Sequence, residues 1–471
     1  MGYLLGIDIG TTSTKALVID ESHASEILTC HSCYADAQID IEKHANYNEQ
    51  DVNKIVASIN EVLKKISLDL GTDKMAQISK IGICGQMHGC LFWKKDHISA
   101  SFSTFIEPDD VSNLITWLDA RCDVNFIASL PISKTSPMSL STGFGCATIL
   151  WLKKNRPEFL MKYDCSGTIA DYVVSRLCHL AEPIMSTQNA ASWGYFDSHA
   201  KTWDRKVMEL ANFPMHFLPK VITPCTTIGQ LKNCLHGISD NATVMVAMGD
   251  MQCSVMSCRI VPGEAVINLS TSAQLSTVLK QSDQSRVKPD KEEIGRLPNP
   301  VIKVPYFGDY DLMASASLNG GAVFANFVEM LMNWTRQFKP DVTVDEIYQH
   351  LLNNNPDPNL QGSIMNFVPT LNGERHQPEA TASLNSIKRS DLNFPTIARS
   401  LARGILENLR SMFEAGVALD GIRHLWACGG AFAKNRLFRE ELENQVFNHV
   451  TVSFDRNADA AYGAALAANE H

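Results

Sequence analysis

The sequence contains no run of lysine and arginine that would form a local basic patch, and its formal net charge at pH 7 is -10. A surface of that sign does not neutralise phosphate backbones, so nucleic acid is not an expected partner. No apolar stretch approaches the roughly 18 residues that a bilayer span needs, so no membrane partner is expected. Strand-like sequence begins by residue 3, leaving no room for the basic segment and apolar core of a secretory leader. Paired cysteine motifs are missing too. The 13 cysteines are odd in number and scattered. The single C-x-x-C, Cys30 to Cys33, has no second pair at metal-ligand spacing, which argues against a zinc ribbon and a disulfide framework. Reduced thiols in a cytoplasmic protein are the expectation.

What is present is the balance of a folded globular chain, 45% hydrophobic and 20% charged. At 471 residues the chain exceeds what one core serves, so two or three domains are expected. Strand-like and helix-like segments alternate, which predicts an α/β fold. The stretch "LLGIDIGTTSTKALVID", residues 4 to 20, sets two apolar runs around Gly10, Thr11 and Thr12 and reads as two strands joined by a tight turn. Such a turn can offer several N-H groups to one anion, with Asp8 placed to hold a metal ion through water. An ordinary hairpin explains the same residues. "NKIVASINEVLKKISLDL" has helical spacing, and "ISKIGICGQMHGCLFW" follows as strand, turn, strand, with Gln86 and His88 at the turn. That pair suits sugar hydroxyls, while His88 alone reads as a structural histidine. "GCATILWLKKNRPEFLMKY" predicts a helix broken before Pro157.

Further on, "VMVAMGD" ends a buried strand at Asp250, at the carboxyl edge where open α/β sheets bind ligands. A helix N-cap accounts for that aspartate equally well. "GEAVINLSTSAQLSTVL" repeats the strand, hydroxyl-rich turn, strand plan, which predicts a second domain of related architecture from near residue 260. The Gly-Gly turn of "CGGAFAKN" has room for a ligand ring or phosphate, or is simply a close strand-helix turn. Small residues 460 to 468 predict close helix packing, with Asn457 or Asp459 as the cap. The clusters in "TWLDARC" and "GERH" read as solvated faces or local ion pairs.

In chain order, "GIDIGTTSTKA", "GQMHG", "TWLDAR", Gly249-Asp250, "NLSTS", "GERH" and "CGGAFAKN" resemble the motifs of the FGGY carbohydrate kinases over nearly the whole chain. The resemblance implies two actin-like domains of ribonuclease H type with a ligand cleft between them. Residues 1–257 would bind sugar and supply the catalytic base, and residues 258–471 would bind ATP. It implies ATP and Mg2+ as cofactors and phosphorylation of the terminal hydroxyl of a ketose. Sedoheptulose is the expected substrate, with xylulose or ribulose as alternatives. An actin-like ATP switch without sugar chemistry would need the hairpins but neither "GQMHG" nor a sugar-facing Asp250. Carried over by motif, Asp8 organises the metal, while Gly10, Thr11, Thr12, Ser13 and Lys15 lie on the phosphate side. Thr271 meets the phosphates from the other domain, Gly321 falls among the cofactor-binding positions, and Gly429, Gly430, Ala431 and Asn435 border the adenosine. Gln86, Met87, His88, Asp119, Arg121 and Asp250 fall on the sugar side, with Asp250 the general base. The expected partners are the sugar and ATP, bound by a monomer or homodimer. Two departures stand out: Ser270 where many members have glycine, and Met251 where many have an amide next to the base, with Gln252 one place later.

Overall fold

In the computed structural model, which describes residues 2–41, 45–102, 104–107, 109–232, 235–283, 285–288, 299–353 and 365–470, the opening run folds as a hairpin. Strands β1 (Tyr3–Ile9) and β2 (Ser13–Asp20) pair antiparallel, with Asp8 opposite Lys15. β3 (Ile27–Tyr34) extends the sheet beyond β2. On the other side β4 (Ile78–Gly85) runs parallel to β1, setting Cys84 opposite Asp8 and Gly85 opposite Ile9. A parallel neighbour needs a crossover, and helix α1 (Val52–Met75) supplies it. Asp51 starts α1 by accepting the Asn53 and Lys54 N-H groups at 2.8 and 3.4 Å. Ile55, Ile59, Val62, Leu63 and Ile66, at helical spacing, bury one face of α1 in the core shared with the sheet. Each such side chain contributes about 1.5–3 kcal/mol.

β5 (Thr227–Gln230), β6 (Thr243–Met245) and β7 (Met248–Gly249) complete a seven-stranded sheet of order β5-β6-β4-β1-β2-β3, with β7 also on β4. Gly249 pairs with Gly85, so helix α2 (Asp250–Ser257) begins just past the end of β4. The second strand of "GCLFW", Leu91–Trp93, leaves this sheet and pairs with Cys165–Gly167. The helix Gly145–Asn155 stops before Pro157, where the proline cannot donate to the preceding turn.

The other compact unit, Ile260–Lys303 and Asp311–Ala458, repeats the plan. β8 (Glu264–Leu269) and β9 (Ala273–Lys280) form an antiparallel hairpin. β10 (Ile302–Pro305), β11 (Tyr310–Ser317), β12 (His424–Cys428) and β13 (Thr451–Ser453) extend it to a six-stranded sheet of order β10-β11-β9-β8-β12-β13. β12 runs parallel to β8 as β4 does to β1.

One division differs from the sequence expectation of continuous domains 1–257 and 258–471. Val304–Tyr310 and Asp459–His471 group with Met1–Arg259. The reason is visible in helix α3 (Ala460–Ala467), which packs on β1 and β4 through glycines. A Cβ at Gly6 would stand 2.0 Å from the Ala461 carbonyl oxygen, and one at Gly82 would stand 2.0 Å from that of Ala464. On its other side Gly463 meets α2 so closely that a Cβ would lie 1.7 Å from the Cys253 carbonyl oxygen. Among the described residues no helix is long and apolar enough to cross a membrane, and the described cysteines are free thiols.

Candidate active site

The β1–β2 turn is closed by the Gly10 N-H donating to the Ser13 carbonyl at 3.0 Å. Thr12 is exposed at its tip, whereas Gly10, Thr11 and Ser13 are half-buried. Asp8 lies on β1 between Cys84 and Lys15 of the flanking strands, and the Cys84 thiol donates to its Oδ1 at 3.7 Å. Burial, then the charge of Asp250, pushes the Asp8 carboxyl up to about 8, against the opposing pull of Cys84 and Lys15. Lys15 is itself engaged, its Nζ 2.7 Å from Asp459 Oδ2. Asp459 also caps α3 by accepting the Tyr462 N-H at 3.2 Å, which realises one of the two caps expected from the sequence.

Asp250 opens α2 at the carboxyl end of the parallel strands. The N-cap is Gly249, so Asp250 does not cap the helix. Its Oδ1 accepts the N-H of Met251 at 2.7 Å, and burial pushes its carboxyl up to about 6. Asp8 and Asp250 are thus two neighbouring acids whose ionised forms disfavour each other.

Gln86 and Met87, both buried, follow β4. The Gln86 N-H donates to the Ile9 carbonyl at 2.9 Å, and its side-chain amide donates to Gln50 Oε1 at 2.9 Å. Gln50 donates to the Thr11 carbonyl at 2.7 Å. The Thr11 hydroxyl accepts from Trp117 Nε1 at 3.0 Å and donates to Gln86 Oε1 at 3.5 Å. Thr11 therefore brings its main chain to the turn, while its hydroxyl is committed elsewhere. The Met87 thioether lies over Gly249, where a Cβ would come within 2.7 Å of the sulfur. His88 has a left-handed backbone, φ 70°. Its Nδ1 lies 2.8 Å from the Ser192 carbonyl, and its ring stacks on Phe144 at 4.5 Å. A carbonyl only accepts, so Nδ1 carries a proton.

Asp119 and Arg121 are buried against each other. Asp119 accepts from Arg121 N, Nε and Nη2 and from Asn48 N, at 2.8 to 3.0 Å. Arg121 also reaches Glu49 at 2.6 Å and stacks over Tyr47 at 4.1 Å. These contacts fill the carboxylate, so the geometry gives Asp119 a structural part, unlike the sugar-side role its motif implies.

In the other unit, the Ser270–Thr271–Ser272 tip is exposed and closed by the Ser270 N-H donating to the Ser272 carbonyl at 2.9 Å. Ser270 does not adopt the left-handed backbone, so glycine's freedom is not needed there. The N-H groups of Gly321 and Ala322 donate to the Ser270 and Thr271 carbonyls at 2.7 and 3.1 Å, fastening the helix Gly321–Thr335 to the turn. Gly429 does need its freedom: φ is 106°, and a Cβ would stand 2.3 Å from the Leu269 carbonyl oxygen. Gly430 is exposed with open space where a Cβ would be, and Ala431 is half-buried beside it. Asn435 is buried, its Oδ1 accepting the Leu437 N-H at 3.0 Å as a helix cap. That bond accounts for Asn435 without a ligand. Glu374 of "GERH" is no solvated face. It is buried and accepts from Ser317, Leu318, Asn319 and Asn408 at 2.5 to 3.1 Å.

Sequence reasoning passed over Gln50, Cys84, Ser192 and Phe144, none of which sits in a chemically suggestive motif. Only Cys84, directly across the ladder from Asp8, was reachable, by assuming that β1 pairs with β4 in register.

Residues 3–257 match the model of the FGGY family of carbohydrate kinases, N-terminal domain. The chain is 38% identical to sedoheptulokinase of Mus musculus, over 98% of this chain and 96% of the relative. The same identity and coverage hold for sedoheptulokinase of Homo sapiens. Among solved structures, glycerol kinase of Plasmodium falciparum with ADP superposes with a TM-score of 0.75 at 20% identity, covering 99% of this chain and 89% of that one. At that identity the likeness speaks for the fold.

Proposed function

Because the chain belongs to the FGGY family of carbohydrate kinases, we propose that it transfers the γ-phosphoryl group of ATP to the terminal hydroxyl of sedoheptulose, giving sedoheptulose 7-phosphate and ADP. The observation that carries the chemistry is Asp250, a carboxylate at the end of a sheet with its proton affinity raised to about 6. Such a group is ionised at neutral pH yet basic enough to take a hydroxyl proton. The identity to two sedoheptulokinases over nearly the full length supports the choice of sugar.

In this reading Asp250 accepts the proton of the attacking hydroxyl as the new oxygen–phosphorus bond forms and the bond from Pγ to the β,γ-bridging oxygen breaks, the electron pair leaving with ADP. Most of the acceleration in phosphoryl transfer comes from alignment and charge neutralisation, with the base contributing about 10² to 10⁴. Gln86, Met87 and His88 would orient the sugar. Thr11 and Thr12 N-H groups would receive phosphate oxygens in the first unit, and the Thr271 turn and Gly429–Gly430 would serve the nucleotide in the second. Asp8 fits Mg2+ chemically: its charge is opposed by burial and by Asp250, and Lys15 is held by Asp459. Among the described residues no group of three or more acids, histidines or cysteines could hold a metal, which suits an ion that keeps waters and phosphates as ligands. Bound there, Mg2+ would neutralise charge on the transferring phosphates. A cytoplasmic monomer or homodimer belongs to the same reading.

The test is ADP release with ATP and Mg2+ against sedoheptulose, xylulose, ribulose and glycerol, beside Asp250→Asn with a matched melting curve. Sedoheptulose should give the highest kcat/KM, and the folded variant should lose at least about 10²-fold. ATP binding without sugar-stimulated turnover would leave an ATP-driven switch as the better reading.

A further inference from the structure

We propose that Gln50 is a positioning residue for phosphoryl transfer, its side-chain amide fixing at once the Gln86 amide on the sugar side and the Thr11 peptide on the phosphate side. The reaction it serves rests on the kinase reading above; the geometry rests on hydrogen bonds within the first unit alone.

The direction of every bond follows from the two ends of the network. An indole N-H only donates, so the Thr11 hydroxyl oxygen accepts from Trp117 at 3.0 Å and sends its proton to Gln86 Oε1 at 3.5 Å. A backbone carbonyl only accepts, so the Gln50 group 2.7 Å from the Thr11 carbonyl is its NH2. Gln50 Oε1 therefore faces Gln86, which must meet it, at 2.9 Å, with Nε2. Both amides are thus oriented by the chemistry of their partners. Turning Gln50 over sets oxygen against oxygen at Thr11 and nitrogen against nitrogen at Gln86, and turning Gln86 over sets its oxygen against Gln50 Oε1. Gln50 and Gln86 are 2% and 4% exposed, so water is poorly placed to repair the mismatch.

Two consequences follow. The Thr11 hydroxyl has no proton left for a phosphate, so the first turn offers N-H groups and the exposed Thr12. Gln86, for its part, keeps one N-H and one lone pair outside the ring of bonds, in a fixed orientation, for a sugar. Gln50 can serve both because it lies on the short strand Glu49–Gln50, which pairs with Leu114–Ile115 just before Trp117. Gln50 and Trp117, the two side chains that donate to Thr11, are therefore brought together by one small sheet.

Gln50→Leu keeps the volume and removes both amide bonds; Gln50→Glu keeps an acceptor for Gln86 but sets a carboxylate oxygen against the Thr11 carbonyl. Each is compared with wild type and Gln86→Leu by melting curve, by kcat and KM for sedoheptulose and ATP, and by calorimetry of a non-hydrolysable ATP analogue with Mg2+. Gln50→Leu should weaken the analogue about tenfold and lower kcat/KM for both substrates about 10- to 100-fold. Gln86→Leu should affect the sugar alone. Gln50→Glu should weaken the analogue at least about tenfold while KM for the sugar stays within about threefold. That split is not what a packing defect produces. If Leu does not fold, the Glu variant decides. Folded variants that bind the analogue as wild type does, or that lose sugar and nucleotide alike in both substitutions, overturn the proposal. The calorimetry needs no turnover, so it still decides the role of Gln50 if wild type phosphorylates no sugar, a result that would instead sink the kinase reading.

Discussion

Gly6→Ala tests whether the C-terminal helix is wedged between the sheet and the helix that opens with Asp250. The added Cβ would stand 2.0 Å from the Ala461 carbonyl oxygen, 2.8 Å from Ala465 N and 2.9 Å from Ala465 Cβ. A carbon and a carbonyl oxygen settle at about 3.3 Å or more, so α3 has to retreat by about 1.3 Å. It cannot do so freely. Behind it, Gly463 already meets the Cys253 carbonyl so closely that a Cβ there would lie 1.7 Å away, and Cys253 belongs to α2, which starts at Asp250. Overpacking of this kind costs about 1–3 kcal/mol where side chains can yield. Here backbone meets backbone, so about 3 kcal/mol is the reasonable figure, or a fall in Tm of about 6–12 °C for a unit of this size. Differential scanning calorimetry gives the stability, hydrogen exchange of residues 459 to 470 shows whether that segment loosens, and kcat reports the displacement of α2. Gly82→Ala, with its own 2.0 Å approach to the Ala464 carbonyl oxygen, should behave alike. If both variants melt within about 1 °C of wild type with unchanged exchange, the wedge is wrong.

The neighbouring glycines of the late turn should part company. Gly429→Ala, at φ 106° and 2.3 Å from the Leu269 carbonyl oxygen, should cost about 2 kcal/mol or more, whereas Gly430→Ala, with open space around it, should be neutral or stabilising by up to about 1 kcal/mol; equal melting curves would refute the contrast. Asp250 must be ionised to act as a base, so its titration should make kcat/KM fall tenfold per unit below about pH 6. An acid limb near 4 would contradict the burial argument. Asp171, wholly buried with its carboxyl pushed up to about 7 by that burial, makes a separate pH prediction for stability. The folded state holds a proton that the unfolded state releases near pH 4, so this contribution is full below about 4 and disappears as pH rises to 7. Wild type should therefore gain on Asp171→Asn by about 2 kcal/mol between pH 7 and pH 5 in denaturant titrations. A pH-independent difference would sink that account. The introduced amide has a ready partner, because the buried Asn189 Oδ1 beside it has no hydrogen bond among the described residues.

The parts of the site legible in the sequence are those that local chemistry spells out. A glycine-hydroxyl turn between two apolar runs identifies itself twice, at Gly10–Ser13 and at Ser270–Ser272, because both the strands and the turn are short-range. The reach of α3 back to β1 was not legible. Its small residues carry no amphipathic signal, and Gly6 and Gly82 look like any glycine in a strand until a helix lies on them. Asp250 was legible in place and ambiguous in role, since an aspartate after a strand reads alike as cap or base. The structure removes the cap reading by giving that position to Gly249, and it leaves Asp250 inside the first turn beside a second acid. Gln50 marks the far limit. Its neighbours in "NEQD" suggest only a polar loop, and its importance comes from meeting residues 39 and 36 positions away. What fixes its orientation is the one-way chemistry of an indole donor and a backbone acceptor at the two ends of the network. A sequence lists those groups, but only the fold brings them into one ring.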